Sequence, residues 1–106
     1  MIKNNIFDDI PEDMSDEVFQ TLLTKKNVKI ERIISDGHKS SEEFWYDQDQ
    51  HEWVMVLQGH AILEFEDKKV ELNVGDYINI PANIKHRIVS TSKAEYTIWL
   101  AIFYGD

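Results

Sequence analysis

From Val28 onward the sequence breaks into short apolar runs, each closed by a turn signal, and this spacing constrains the fold more than any other feature. The runs are VKIERIIS (Val28–Ser35), HEWVMVLQ (His51–Gln58), AILEFE (Ala61–Glu66), KVEL (Lys69–Leu72), DYINI (Asp76–Ile80), HRIVS (His86–Ser90) and YTIWLAIFY (Tyr96–Tyr104). Asp67-Lys68, Asn73-Val74-Gly75, Pro81-Ala82-Asn83 and Ser92-Lys93 separate them. Evenly spaced strands of this length make an all-β sandwich or barrel. One segment alone reads as helix. Ser15 offers an N-cap, Asp16 and Glu17 suit a first turn, and Val18/Leu22 with Phe19/Leu23 fall at helical spacing. The expectation is a short helix over residues 15–24, closed by Lys25, Lys26 and Asn27, followed by a barrel over residues 28–104.

With 106 residues the chain makes one domain. A formal net charge of −9 argues against sequence-independent binding to nucleic acid or to an anionic membrane. No apolar run approaches a membrane span, and MIKNNIFDDIPEDM lacks the apolar core of a secretory signal, so a cytoplasmic protein is expected. Cysteine is absent, which removes disulfides and thiolate chemistry.

Residues 36–50, DGHKSSEEFWYDQDQ, fit neither period. A long polar loop carrying Phe44, Trp45 and Tyr46 is either a binding loop or a cover for one end of the barrel. Beyond it, alternation puts Glu52, Val54, Val56 and Gln58 on one strand face and Trp53, Met55 and Leu57 on the other. His86, Ile88 and Ser90 likewise share a face. A carboxylate and an imidazole at two strand starts can converge inside a barrel, either as ligands of a divalent metal or as a hydrogen-bonded pair with no metal.

Two spaced patterns carry a resemblance. GDYINIPANIKHRIVS contains Gly75, Pro81 and His86 in the spacing G-x5-P-x-G-x2-H-x3-N, with Asn83 in place of the second glycine and Ser90 in place of the asparagine. YDQDQHEWVMVLQG contains Glu52 and Gly59 of G-x5-H-x-H-x3,4-E-x6-G, with Tyr46 and Gln48 at the two histidine positions. The chain thus resembles the cupin superfamily, in particular its small single-domain bacterial members. That resemblance implies a jelly-roll β-barrel with Glu52 and His86 pointing inward as two of four ligand positions. Gln48 and His51 are the candidates for a further ligand, His51 only if its strand start is bulged. The metal, if held, is zinc, iron, manganese or nickel. Tyr46 is a costly ligand as phenolate, and it stands with His38 as a candidate acid or base.

Three functions fit these residues: a barrel binding a small molecule, a metal-dependent dioxygenase, isomerase or decarboxylase, and a structural barrel. The first is the principal expectation, with Tyr46, Gln48, Val54, Val56 and Ile88 forming the ligand pocket. YTIWLAIFY is apolar on both faces, so an outer layer must come from the N-terminal segment or from a second copy in a homodimer.

Overall fold

The computed structural model describes residues 1–41 and 43–105. The strands are β1 (Val18–Lys25), β2 (Val28–Ser35), β3 (His51–Gln58), β4 (Ala61–Phe65), β5 (Lys69–Leu72), β6 (Tyr77–Ile80), β7 (His86–Thr91) and β8 (Thr97–Tyr104). They form two antiparallel sheets, one ordered β1-β2-β8-β3-β6 and the other β5-β4-β7. Alternation decides what lies between them. Glu52, Val54 and Val56 of β3 stand opposite Phe103, Ala101 and Trp99 of β8, and all three are buried, whereas Trp53, Met55 and Leu57 are only half-buried. Ile33, Val54, Val56, Trp99 and Ala101 of the larger sheet meet Ala61, Leu63, Phe65 and Leu72 of the smaller one to make the core. This is the expected jelly-roll barrel.

The helix expected over residues 15–24 does not form. Val18–Lys25 is the edge strand β1, paired with β2 from Val18↔Ile34 to Lys25↔Val28, with a bulge at Leu22. The bulge accounts for the helix-like spacing: Phe19 stands opposite inward Ile33, while Leu23, four residues on, stands opposite Ile30 on the outer face, so the apolar residues follow no strict alternation. So short a helix is marginal in water, and β-branched Val18, Thr21 and Thr24 suit a strand. Pairing with β2 decides between them. Lys26 and Asn27, which suited a helix end, form the turn of a hairpin instead.

The residues before β1 supply part of the outer layer that β8 requires. Arg32 of β2 is buried, and its guanidinium donates to the carbonyls of Ile6 (3.0 Å), Asp8 (2.5 Å) and Asp9 (3.4 Å) and to the Gln20 side chain. Tyr96 donates its hydroxyl to the Glu12 carbonyl at 2.6 Å. The N-terminal segment is therefore strapped across the outer face of the larger sheet, where Ile34 and Ile98 are buried.

Two glycines of the sequence patterns have different physical reasons. Gly59, between β3 and β4, has φ +89°, and a Cβ there would lie 2.5 Å from Thr97 Oγ1 and 2.8 Å from Thr97 Cα. Gly75 has φ +90° but nothing within 4 Å of a Cβ. Gly75→Ala should cost only the backbone strain, about 1–3 kcal/mol. Gly59→Ala adds a clash with the backbone of a neighbouring strand and should cost about 2–5 kcal/mol. Urea melts of the two variants check this; equal losses would mean the contact with Thr97 is unimportant.

Candidate functional site

Glu52 at the start of β3 and His86 at the start of β7 come from opposite sheets and meet inside the barrel. His86 Nε2 lies 3.3 Å from Glu52 Oε1, and the two residues are 5% and 8% exposed. A carboxylate so buried needs polar partners. Gln48 supplies a second, donating from Nε2 to the same oxygen at 3.0 Å. His86 is itself held through Nδ1, which lies 3.0 Å from the Ile84 carbonyl.

The polar stretch of residues 36–50 does more than cover a barrel end. Tyr46 makes a two-way backbone bridge to His86, with Tyr46 N–H to His86 O at 2.7 Å and His86 N–H to Tyr46 O at 3.1 Å. The bridge stacks the Tyr46 ring on the His86 imidazole at a centroid distance of 5.6 Å, and Phe44 meets Tyr46 edge-on at 4.8 Å. Two residues on, the Gln48 carbonyl accepts from Asn83 N–H at 2.8 Å. Asn83 has φ +66°, the left-handed conformation that asparagine tolerates, so it serves where the related pattern has glycine.

A cavity of about 90 Å³ adjoins the pair. Val54, Leu63, Ile80 and Ile88 form apolar wall, Tyr46 and Gln48 close one side, and Glu17 and Phe19 of the N-terminal region close another. Of the residues expected in a ligand pocket, Tyr46, Gln48, Val54 and Ile88 line this cavity, while Val56 is fully buried in the core. Glu17, Phe19, Trp99 and Phe103 were not anticipated. Phe19 lies in β1 and Glu17 directly precedes it, a placement hidden by reading the segment as helix.

His51 and His38 are not brought to the pair. No bulge turns His51 inward: it stands opposite Tyr104 on the outer face of β3, meets that ring at a tilt with centroids 5.0 Å apart and accepts from Ala82 N–H at 3.0 Å. His38 accepts from Asp36 N–H at 2.7 Å, and its own carbonyl accepts from Thr91 Oγ1 at 2.6 Å, away from the cavity lining.

The donor set does not suit a firmly held transition metal. Two atoms 3.3 Å apart can both reach an ion at about 2.1 Å, but a catalytic site of this type takes about three protein ligands. Among the described residues no group of three or more His, Cys, Asp or Glu side chains could hold an ion. Gln48 adds only a neutral amide, whose nitrogen is turned toward Glu52. Tyr46 is held as a neutral phenol: burial, then the charges of Glu17 and Glu52, push its pKa above the ordinary 10.0.

The same pair makes the fold sensitive to pH. Burial lowers the His86 pKa, but the hydrogen bond to Glu52, the Ile84 carbonyl and the charges of Glu52 and Asp47 outweigh it and raise the value above the ordinary 6.5. A group whose folded pKa is raised contributes stability that is complete below its unfolded pKa and lost as pH climbs through the folded one. Urea melts should therefore show stability falling as pH rises above about 6.5, and His86→Gln should remove that part of the fall. A variant with the same slope as the parent would assign the pH dependence elsewhere.

Comparison with known proteins agrees with this geometry. The cupin domain family matches residues 32–103. A solved structure of a provisional mannose-6-phosphate isomerase from Ralstonia eutropha JMP134 is 42% identical, covers 100% of both chains and superposes with a TM-score of 0.95. A cupin superfamily protein from Desulfitobacterium hafniense DCB-2 is 24% identical over 92% of this chain and 84% of its own, with a TM-score of 0.75. A Thermus thermophilus protein shares the fold at 10% identity, covering 98% of this chain and 97% of its own, with a TM-score of 0.81. No curated protein matches the sequence. The barrel, the inward Glu52–His86 pair and the family match over two thirds of the sequence agree, and the chain belongs to the cupin domain family.

Proposed function

We propose that this cupin binds a small molecule inside its barrel, against the Glu52–His86 pair, and that the pair works without a resident metal. The cavity beside that pair carries the proposal: it is walled by apolar side chains, with a few convergent polar groups at one end. The donor set supports the metal-free half, because each buried group already has a protein partner. Two tests follow. Protein purified without a tag should carry well below one equivalent of zinc, iron, manganese and nickel; a full equivalent lost in His86→Ala would overturn the metal-free half. In a fragment screen by protein-observed NMR, hits should shift the methyl signals of Val54, Leu63, Ile80 and Ile88, and Ile88→Trp should abolish them by filling the cavity. Hits that shift only outer-face residues would sink the binding reading.

The likeness to the Ralstonia protein brings isomerisation of a sugar phosphate into view. Glu52 and His86 supply the adjacent base and acid that moving a proton between neighbouring carbons requires. Among the described residues, however, the cavity lining offers no lysine or arginine for a phosphate.

We also propose that the chain is a homodimer formed through the outer face of the larger sheet. Trp53, Met55, Leu57, Leu100 and Ile102 lie on that face, half-buried and without a charge among them, and Leu23 at its edge is 45% exposed. The N-terminal strap is anchored at the Arg32 end. A second copy is the occupant this face suits, since an uncharged apolar surface is complementary to itself even on an acidic chain. Light scattering at micromolar concentration should give a mass twice the 12.5 kDa of the chain, and Met55→Glu should halve it. A monomeric parent refutes the dimer.

A further inference from the structure

The charges around the cavity are unbalanced. Its lining includes two carboxylates, Glu17 and Glu52, and one imidazole, His86, with no lysine or arginine among the described lining residues. His86 faces Glu52 at 3.3 Å. Glu17 instead accepts from the hydroxyl of Ser35, a neutral group that leaves its charge in place. Nor is Glu17 a loose surface acid. Ser35 is wholly buried, and its Oγ in turn accepts from Trp99 Nε1–H at 3.1 Å. One buried relay thus fixes a carboxylate and an aromatic ring on the same cavity, and the aromatic side chains of Phe19, Tyr46 and Phe103 join them.

A carboxylate held beside aromatic rings in a small, partly apolar cavity favours a cation with apolar substituents. The carboxylate neutralises the charge, and the rings attract it through their quadrupoles while accepting its methyl or methylene groups. A phosphate dianion would meet the opposite conditions, two carboxylates and no cationic partner beyond a histidine already facing one of them. We propose that the cavity takes the ammonium head of a small organic cation, with Glu17 as its counter-ion, and excludes phosphorylated ligands. This rests on the reading that the barrel binds a small molecule. At about 90 Å³ the cavity is smaller than the one of about 150 Å³ that admits benzene, so it fits a head group of a few methyl-sized units.

Three probes test this by calorimetry and by NMR shifts of the cavity methyls: tetramethylammonium chloride, neopentyl alcohol as a neutral probe of similar shape, and inorganic phosphate. Tetramethylammonium should bind at least about tenfold more tightly than neopentyl alcohol, a preference that one uncompensated carboxylate readily supplies. Phosphate should leave the cavity methyls unmoved. Glu17→Gln should bring the preference close to one, whereas Asp16→Asn, which removes the same charge from an exposed neighbour, should leave it unchanged. Ser35→Ala keeps Glu17 but removes the hydroxyl that holds it, and should lower the preference by a smaller factor. A preference that survives both Glu17→Gln and Ser35→Ala overturns the assignment to Glu17. Neutral alcohol bound in the cavity as tightly as the cation overturns the cation proposal and leaves the binding reading standing, as does phosphate bound there. If no probe enters, the cation proposal fails, and an empty fragment screen beside it removes the binding reading too.

Discussion

Burying the Glu52 carboxylate is the constraint on which the rest of this barrel's interior depends. A charge inside an apolar layer is tolerated only with polar partners, and each partner must itself be held. His86 answers Glu52 directly, and it is aimed by the Ile84 carbonyl and by the backbone bridge to Tyr46. Gln48 answers it from the other side, and the Gln48 backbone is fixed by Asn83 N–H. Asn83 can present that N–H because it adopts φ +66°. A single buried acid thereby accounts for why an otherwise irregular connection docks against the start of β7. The Tyr46 ring, stacked on His86, follows from the same docking and needs no separate cause.

The strands from Val28 onward were legible because each carries one period and ends at a turn residue. Their inner faces were legible as far as the alternation is regular: Glu52, Val54 and Val56 alternate with larger side chains that face out, but register shifts after Val56 and after Ile88 take Gln58 and Ser90 off the faces that alternation assigned them. The segment before Val28 was not, because the bulge at Leu22 breaks the period of two and leaves apolar residues four apart, as in a helix. What separated the two was pairing with β2, a hairpin contact reaching from Lys25↔Val28 to Val18↔Ile34 that a residue-by-residue period does not reveal. The error reached the site. Once Val18–Lys25 is a strand, Phe19 and the residue just before the strand, Glu17, line the cavity, and an acid expected in a helix's first turn becomes a wall of the pocket.

His51 illustrates the complementary case. Its chemistry suited a metal ligand, but a side chain next to an inward residue on a regular strand points outward. β3 is regular where it begins, pairing His51 with Tyr104 and Glu52 with Phe103 in sequence. Alternation therefore outweighed ligand type. The irregularity in β3 lies at its far end, between Val56 and Gln58, where it has no bearing on the pair.

Tyr46 and Gln48 stand at the two positions where the related pattern has histidine, and the exchange alters the electrostatics of the cavity as well as its donor count. A resident divalent cation would offset the charges of Glu52 and Glu17. A neutral phenol and a neutral amide do not, and burial together with those same acids keeps the Tyr46 phenol protonated. Glu52 is then answered by the His86 imidazole, whose pKa burial alone would lower but the hydrogen bond to Glu52, the Ile84 carbonyl and the charges of Glu52 and Asp47 raise. Among the described lining residues Glu17 has no such partner, and it leans on a neutral hydroxyl. Glu17, docked on Ser35 beside Trp99, is the carboxylate on which the proposed cation, brought by the ligand itself, depends.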